Sequence, residues 1–286
     1  MRALLLLALL AVSMAAQPLR IIAIGAHPDD CDIKFGGTAV LLAKMGHQVK
    51  FVSVTNGDAG HHQMGGQILA NRRRAEAAES ARRLGIAEYE VMENHDGELT
   101  PSLDVRRQII RAIRNWKADV VITHRTNDYH PDHRNTGILI QDAAYMVQVP
   151  NIVSDAPALR KNPVFLYFSD YFQRPNPFRP DIVIDIEAAF EQKINGLDAH
   201  VSQFYEWLPW VSGVSEKVPK DPAARKAWLR SERANQRLND EAKASFAKWY
   251  GAGKTPKYLE AFEICEYGRR PTEDEIRQLF PMLPKK

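Results

Sequence analysis

Two short segments concentrate residues that can bind a metal and move protons: His27-Pro28-Asp29-Asp30 and His130-Pro131-Asp132-His133. An imidazole and a carboxylate three residues apart can be turned toward one point by a tight turn, and Pro28 presets the φ angle such a turn uses. His27 and Asp30 can therefore share a cation. His133 would complete a set of two imidazoles and one carboxylate, leaving positions open for water and substrate as catalytic rather than structural zinc sites do. The same set suits iron(II). Zinc is favoured because hydrolysis needs no redox chemistry.

These residues need a scaffold that brings positions a hundred residues apart to one place. Leu19–Ala26 is a continuous apolar, β-branched run, the pattern of a strand buried on both faces, and Val49–Thr55, Tyr89–Met92 and Val120–Thr123 repeat it. Helical segments lie between them. Gly36–Lys44 is closed by Gly46, Gln67–Leu84 by Gly85, and Ser102–Trp116 opens on Ser102 as its N-cap. The alternation predicts an α/β fold, a mostly parallel Rossmann-like sheet with helices on both faces, and such folds bind ligands at the carboxyl ends of their strands. Both histidine motifs follow strands. The second half is less regular: Pro163–Phe168, Ile182–Ile186 and Tyr258–Cys265 read as strands, Glu187–Phe204 and Asp221–Trp249 as helices, and Arg174–Pro180 as a long loop. With no repeat and no interdomain linker, residues 17–286 read as a single domain.

The motifs His27-Pro28-Asp29-Asp30, Gly36-Gly37-Thr38 and His130-Pro131-Asp132-His133 resemble those of the PIG-L/LmbE-like deacetylases. Those are zinc-dependent enzymes that remove acetyl groups from N-acetylglucosamine-type substrates. Arg73-Arg74-Ala75-Glu76, Ala199-His200-Val201-Ser202-Gln203 and Ala261-Phe262-Glu263 resemble weaker family patterns, so the likeness covers most of the chain. It implies zinc ligands at His27, Asp30 and His133, a catalytic base at Asp29, and a polarising or acid role for His130. Cys31 departs from the family, standing where many members carry Glu, and Asp32 offers a carboxylate one residue later.

The chemistry follows independently. Amide hydrolysis near neutral pH needs a strong nucleophile and a group that holds the developing oxyanion, and a metal supplies both by lowering the pKa of its water toward ~7. Asp29, adjacent to Asp30 but directed elsewhere, is placed to take the water's proton and pass it to the leaving amine. His130, one helical turn before His133, can hydrogen-bond the carbonyl oxygen, a role worth roughly 2.7–4 kcal/mol for a single donor. Asp132 can fix a histidine tautomer. Arg73 either binds a sugar hydroxyl or orients a catalytic carboxylate, against the plainer alternative of a solvated helix face shared with Glu76. His61 and His62 decorate a Gly-rich loop, Asn56–Gly66, that can cover the site. The competing function is a non-catalytic carbohydrate- or metal-binding protein, favoured if Cys31 or the aromatics near Tyr167–Phe172 blocked the open coordination position.

Bulk composition is permissive. The 286 residues are 45% hydrophobic and 26% charged, with 38 Lys+Arg against 35 Asp+Glu. A chain of this size needs no metal merely to fold. The net +3 is too small and too interspersed to argue for nucleic acid, and Arg106, Arg107, Arg111 and Arg114 read as helix-surface charges with acidic neighbours. The expected partner is a small amino-sugar substrate. Serine-hydrolase, metallopeptidase, nucleotidase and dehydrogenase motifs are missing from the sequence. Residues 1–16 carry one charge, Arg2, then an apolar run and a small-residue exit, the pattern of a secretory signal too short to span a membrane. Export without a stable membrane anchor is expected, leaving residues 17–286 at +2 once Arg2 is gone. Cys31 and Cys265 read as free thiols.

Overall fold

In a computed structural model of the chain, residues 17–234 and 240–285 are described. The segment read as a leader lies outside them. The first half alternates as expected: β1 Arg20–Gly25, α1 Asp30–Lys44, β2 Gln48–Thr55, α2 Gly66–Leu84, β3 Glu88–Asn94, α3 Leu103–Trp116, β4 Val120–Thr123, α4 Pro131–Met146 and β5 Val164–Phe168. Then follow β6 Ile182–Asp185, α5 Phe190–Leu197, α6 Leu208–Val211, α7 Pro222–Ala234, α8 Asp240–Tyr250, β7 Leu259–Ile264 and α9 Glu273–Leu279. One sheet runs in the order β3-β2-β1-β4-β5-β7-β6. Its first five strands are parallel, and β7 enters antiparallel between β5 and β6.

Alternate residues of β1 feed two cores. Ile21 and Ala23 pack with apolar residues of α1 and α5, whereas Ile22 and Ile24 pack with α3 and α4. Burial on both faces explains why β1 is an unbroken apolar run. Cys31 and Cys265 sit in these separate cores as free thiols. No helix among the described residues is long and apolar enough to cross a membrane.

Three departures from the sequence expectations have physical causes. The first helix starts at Asp30 rather than Gly36, because Asp30 and Asp32 favour its first turn and the glycines serve another purpose. Lys193 and Glu260 form an ion pair 2.7 Å apart against the middle of α1. Lys193 Nζ donates to Ile33 O at 2.7 Å, and the Glu260 carboxylate accepts from the N–H groups of Gly37 and Thr38 at 2.8 and 2.7 Å. A Cβ on Gly37 would lie 2.7 Å from the Ile186 side chain, so the Gly36-Gly37 pair is a packing device. Secondly, Glu187–Phe204 is not one helix. A 3₁₀ turn leads into α5, which ends at Leu197, and a six-residue π-helix at Ser202–Trp207 continues into α6. Of the helix expected at Asp221–Trp249, the described residues form α7 and α8, and residues 235–239 lie outside the described set. Lastly, Arg114 is buried, not on the surface: its guanidinium donates to six backbone carbonyls, from Met146 to Ala156, and so clamps the segment after α4 onto α3. The sequence reading also passed over α4, which opens on Pro131, and the short α9, which has a Thr272–Glu275 capping box.

Candidate active site

The chain steps from β1 to β2 on one side and places β4 on the other, so the strand order reverses between β1 and β4. In parallel α/β sheets the crevice for ligands opens at that point, beyond the carboxyl ends of the strands. His27, Asp29 and Asp30 follow β1, and His124 through His133 follow β4. The tight turn expected at Pro28 is present, with His27 O accepting from the N–H groups of Asp29 and Asp30 at 2.8 and 3.3 Å. Asp30 Oδ2 in turn accepts from His27 N at 2.8 Å. On the other side, a Cβ on Gly137 would stand 2.9 Å from the carbonyl oxygens of both His124 and Arg125. Glycine lets α4, which carries His133, lie directly against the end of β4.

The three residues named as metal ligands converge. His27 Nδ1 is 3.2 Å from His133 Nε2 and 3.5 Å from Asp30 Oδ2, and His133 Nε2 is 3.4 Å from Asp30 Oδ1. Four-coordinate zinc with ligands at about 2.0–2.1 Å holds neighbouring donors about 3.3–3.4 Å apart. The spacings are close to these, with Asp30 facing the two rings through different oxygens, and the neighbouring groups His27–His130–His133, Asp30–His124–His133 and His27–Asp96–Asp132 each bring one ligand atom per residue within 4.8 Å of one another. The outer partners fix the ring orientations. His133 Nδ1 lies 3.0 Å from Asp128 Oδ1, which keeps the proton on Nδ1 and the Nε2 lone pair toward the cluster. His27 Nε2 faces Asp96 Oδ1 at 2.9 Å and Asp132 Oδ2 at 3.4 Å. His124 stacks on His133, and its Nε2 stands 3.1 Å from Asp30 Oδ2. Against the cost of burial, the imidazoles of His133 and His124 hold Asp30 well below the usual carboxylate range. Burial, followed by the charge of His133, pushes His124 down to about 4.

Asp29 is buried beside this cluster. Burial pushes its carboxyl up, Arg73 opposes the rise, and Asp30 adds to it. Arg73 is not on a solvated face. It is 2% exposed, and its Nη2 donates to Asp29 Oδ1 at 3.3 Å while Nη1 donates to Gly57 O at 3.3 Å. Gly57 has φ of +72°, and a Cβ there would come within 2.5 Å of the guanidinium. Of the two roles offered for Arg73, the structure shows it on a carboxylate. Glu76 is likewise engaged, accepting from Ser202 N at 3.0 Å and from the Ser202 hydroxyl at 2.5 Å.

His130 is the N-cap of α4, its Nδ1 accepting from Asp132 N at 3.2 Å. A neutral imidazole used that way keeps its proton on Nε2, leaving that nitrogen free to donate. Asp132 accepts from Gly97 N and Leu99 N at 2.7 and 3.2 Å, so it also holds the loop after β3. Asp32 faces away from the cluster toward Ser80, Tyr89 and His200. Cys31 Sγ points to Val52 O at 3.8 Å. His61 is tied to Glu206 at 2.9 Å rather than free in a covering loop.

A cavity of about 230 Å³ opens over the cluster, bounded by His130, Tyr129, Gly60, Gln203, Trp207 and Leu208. Neither Cys31 nor the Tyr167–Phe172 stretch lines it, so the condition that favoured a non-catalytic protein is not met. Arg174–Pro180, read as a long loop, contributes to a different cavity through Asn176–Arg179. Sequence reasoning missed Asp96, His124 and Asp128. Each follows a strand end, and treating β3 and β4 as β1 was treated would have found them.

An α/β sheet that gathers two imidazoles and a carboxylate at its switch point, with a second carboxylate alongside, belongs to the class of metal-dependent hydrolases. Residues 22–144 match the family model described as PIG-L, GlcNAc-PI de-N-acetylase. The diacetylchitobiose deacetylase of Thermococcus kodakarensis is 32% identical over 200 residues, covering 67% of this chain and 73% of that protein. A probable N-acetyl-alpha-D-glucosaminyl L-malate deacetylase 2 of Bacillus cereus is 28% identical over 216 residues, covering 72% and 92%. The solved N,N'-diacetylchitobiose deacetylase of Pyrococcus horikoshii superposes with a TM-score of 0.64 at 27% identity, covering 89% of this chain and 88% of that one. The chain belongs to the PIG-L family.

Proposed function

We propose that this protein is a zinc-dependent N-deacetylase that acts on an N-acetylglucosamine-type sugar or its conjugate. One observation carries the reading: a single turn after β1 delivers both a cluster carboxylate, Asp30, and a buried carboxylate, Asp29, that is free of the cluster and held by Arg73. His27, Asp30 and His133 would hold the metal. When bound, zinc acidifies a water and polarises the amide carbonyl. Asp29 takes the proton of the attacking water and returns it to the departing amine. His130 donates from Nε2 to the amide oxygen as negative charge develops there. Arg73 keeps the Asp29 carboxylate aimed, and Asp96 and Asp132 steady the ring of His27. The relatives named above are described as acting on N-acetylglucosamine-type compounds, which supports that substrate class here. Iron(II) is the second metal the donor set accommodates. The leader-like residues 1–16 make export part of the proposal.

Metal analysis of purified protein is expected to find about one zinc per chain, with acetate released from N-acetylglucosamine derivatives and release stopped by a chelator. Bound zinc with no amide cut across a broad sugar panel would refute the deacetylase assignment. The outer carboxylate gives a finer prediction. Asp128→Asn removes the anion that fixes the His133 tautomer, and zinc affinity is expected to fall about 10–100-fold. Competition against a chromophoric chelator measures this, and unchanged affinity would show that Asp128 does not set the ring.

A further inference from the structure

The π-helix Ser202–Trp207 and α6 form an aromatic wall with two sides. One side lines the reaction cavity through Gln203, Trp207 and Leu208. Behind it lies a second cavity of about 320 Å³, bounded by Phe204, Leu208, Pro209, Val214, Trp228 and Arg233. The two cavities share only Leu208. Helix geometry makes the division: Gln203 and Trp207 stand four residues apart on one face, Phe204 and Leu208 four residues apart on the next.

The far side of the second cavity is α7. Its Trp228, Leu229 and Arg233 face the wall, whereas Arg230 turns outward and pairs with Glu191 at 2.7 Å. Arg233 is only half-exposed, and its guanidinium lies over the Phe204 ring, Cζ 4.8 Å from the centroid. Its Nε is buried and has no hydrogen-bond partner among the described residues. Burial lowers its pKa, and the charges of Asp29 and Glu232 oppose this without hydrogen-bonding it. An arginine keeps its charge all the same. The other buried guanidiniums of the fold are engaged, Arg73 on Asp29 and Arg114 on backbone carbonyls. A buried donor without an acceptor is costly, so this one is set for an acceptor that arrives from outside.

We propose that the second cavity binds a small amphiphilic carboxylate, such as a medium-chain fatty acid, with its head on Arg233 and its chain against Phe204, Val214 and Trp228. The volume falls within the roughly 300–1,000 Å³ of small-ligand pockets, and an apolar lining with one placed polar group is their usual chemistry. The planar guanidinium fork matches a carboxylate through two parallel hydrogen bonds. Glu232, exposed at the rim, selects the head: it would face the second negative charge of a phosphate monoester. Each CH₂ buried along the wall raises affinity about fourfold.

Calorimetric titration of the full chain with octanoate, and with octanol as its uncharged match, tests the site. About one octanoate per chain is expected, bound roughly tenfold more tightly than octanol, with hexanoate about tenfold weaker than octanoate. Arg233→Gln is expected to remove the preference for octanoate while octanol binds as before. Octanoate left unbound, bound no better than octanol, or bound as tightly by Arg233→Gln would overturn the site, the last result placing the acid on another cation, the metal cluster included. Octyl phosphate binding more tightly than octanoate would overturn the carboxylate head. Should Arg233→Gln fail to fold, Ser212→Trp carries the test, because Ser212 lines the cavity from an exposed position. Filling the mouth there is expected to abolish octanoate binding, and wild-type affinity in that variant also overturns the proposal. None of these readouts depends on acetate release, so the site and the deacetylase assignment stand or fall separately.

Discussion

Asp29→Asn is expected to lower kcat by about 10²–10⁴-fold, the usual contribution of a positioned general base, while the protein still binds zinc at full stoichiometry. Asparagine matches aspartate in shape and can still accept from Arg73 through its amide oxygen, so the turn after β1 survives. It cannot take a proton from water. The same substitution one residue later would act on the metal cluster instead, since Asp30 Oδ1 and Oδ2 lie within 3.5 Å of His133 and His27. Steady-state acetate release together with metal analysis separates the two carboxylates. Full activity in Asp29→Asn would remove it as the base, and loss of zinc would make it a ligand.

The second large effect lies away from the chemistry. Glu260→Ala leaves the Lys193 ammonium buried against α1 without its partner and withdraws an acceptor from two N–H groups. Breaking a buried pair from one side costs about 3–5 kcal/mol. At about 2–4 °C per kcal/mol for a chain of this size, Tm should fall by of order 10 °C in a thermal melt. Replacing both partners, as Lys193→Met with Glu260→Leu, should recover much of the loss, because the pair contributes little beyond cancelling its own desolvation. A Tm unchanged in Glu260→Ala would show that water reaches the ammonium.

What the sequence revealed and what it hid differ by physical range. The strands of the first half were legible because each is buried on both faces, and the cluster residues because two His/Asp motifs sit where parallel sheets open. Gly36-Gly37 misled, read as a helix start when the pair admits Lys193 and Ile186 from far along the chain. Arg114 looked like one more charge on a helix face, and only the fold shows six carbonyls around it. The π-helix was hidden for the same reason: Glu76 takes the N–H and hydroxyl of Ser202, a contact spanning 126 residues. Arg73 and Glu76 are one turn apart on α2, yet one serves the carboxylate beside the metal cluster and the other the aromatic wall.

The pairing of β1 with β4 has a consequence for how the protein comes into being. His27 and His133 are 106 residues apart, and they meet only because Ile21–Ile24 of β1 lies beside Val120–Thr123 of β4. Two intervening βα units must be threaded outward before that pairing closes, and closing so long a loop is an entropic debt settled late in folding. A nascent chain released with only its first hundred residues would carry half of a metal site and no means of completing it. If His27, Asp30 and His133 hold the ion as proposed, its uptake would report that β1 and β4 have docked.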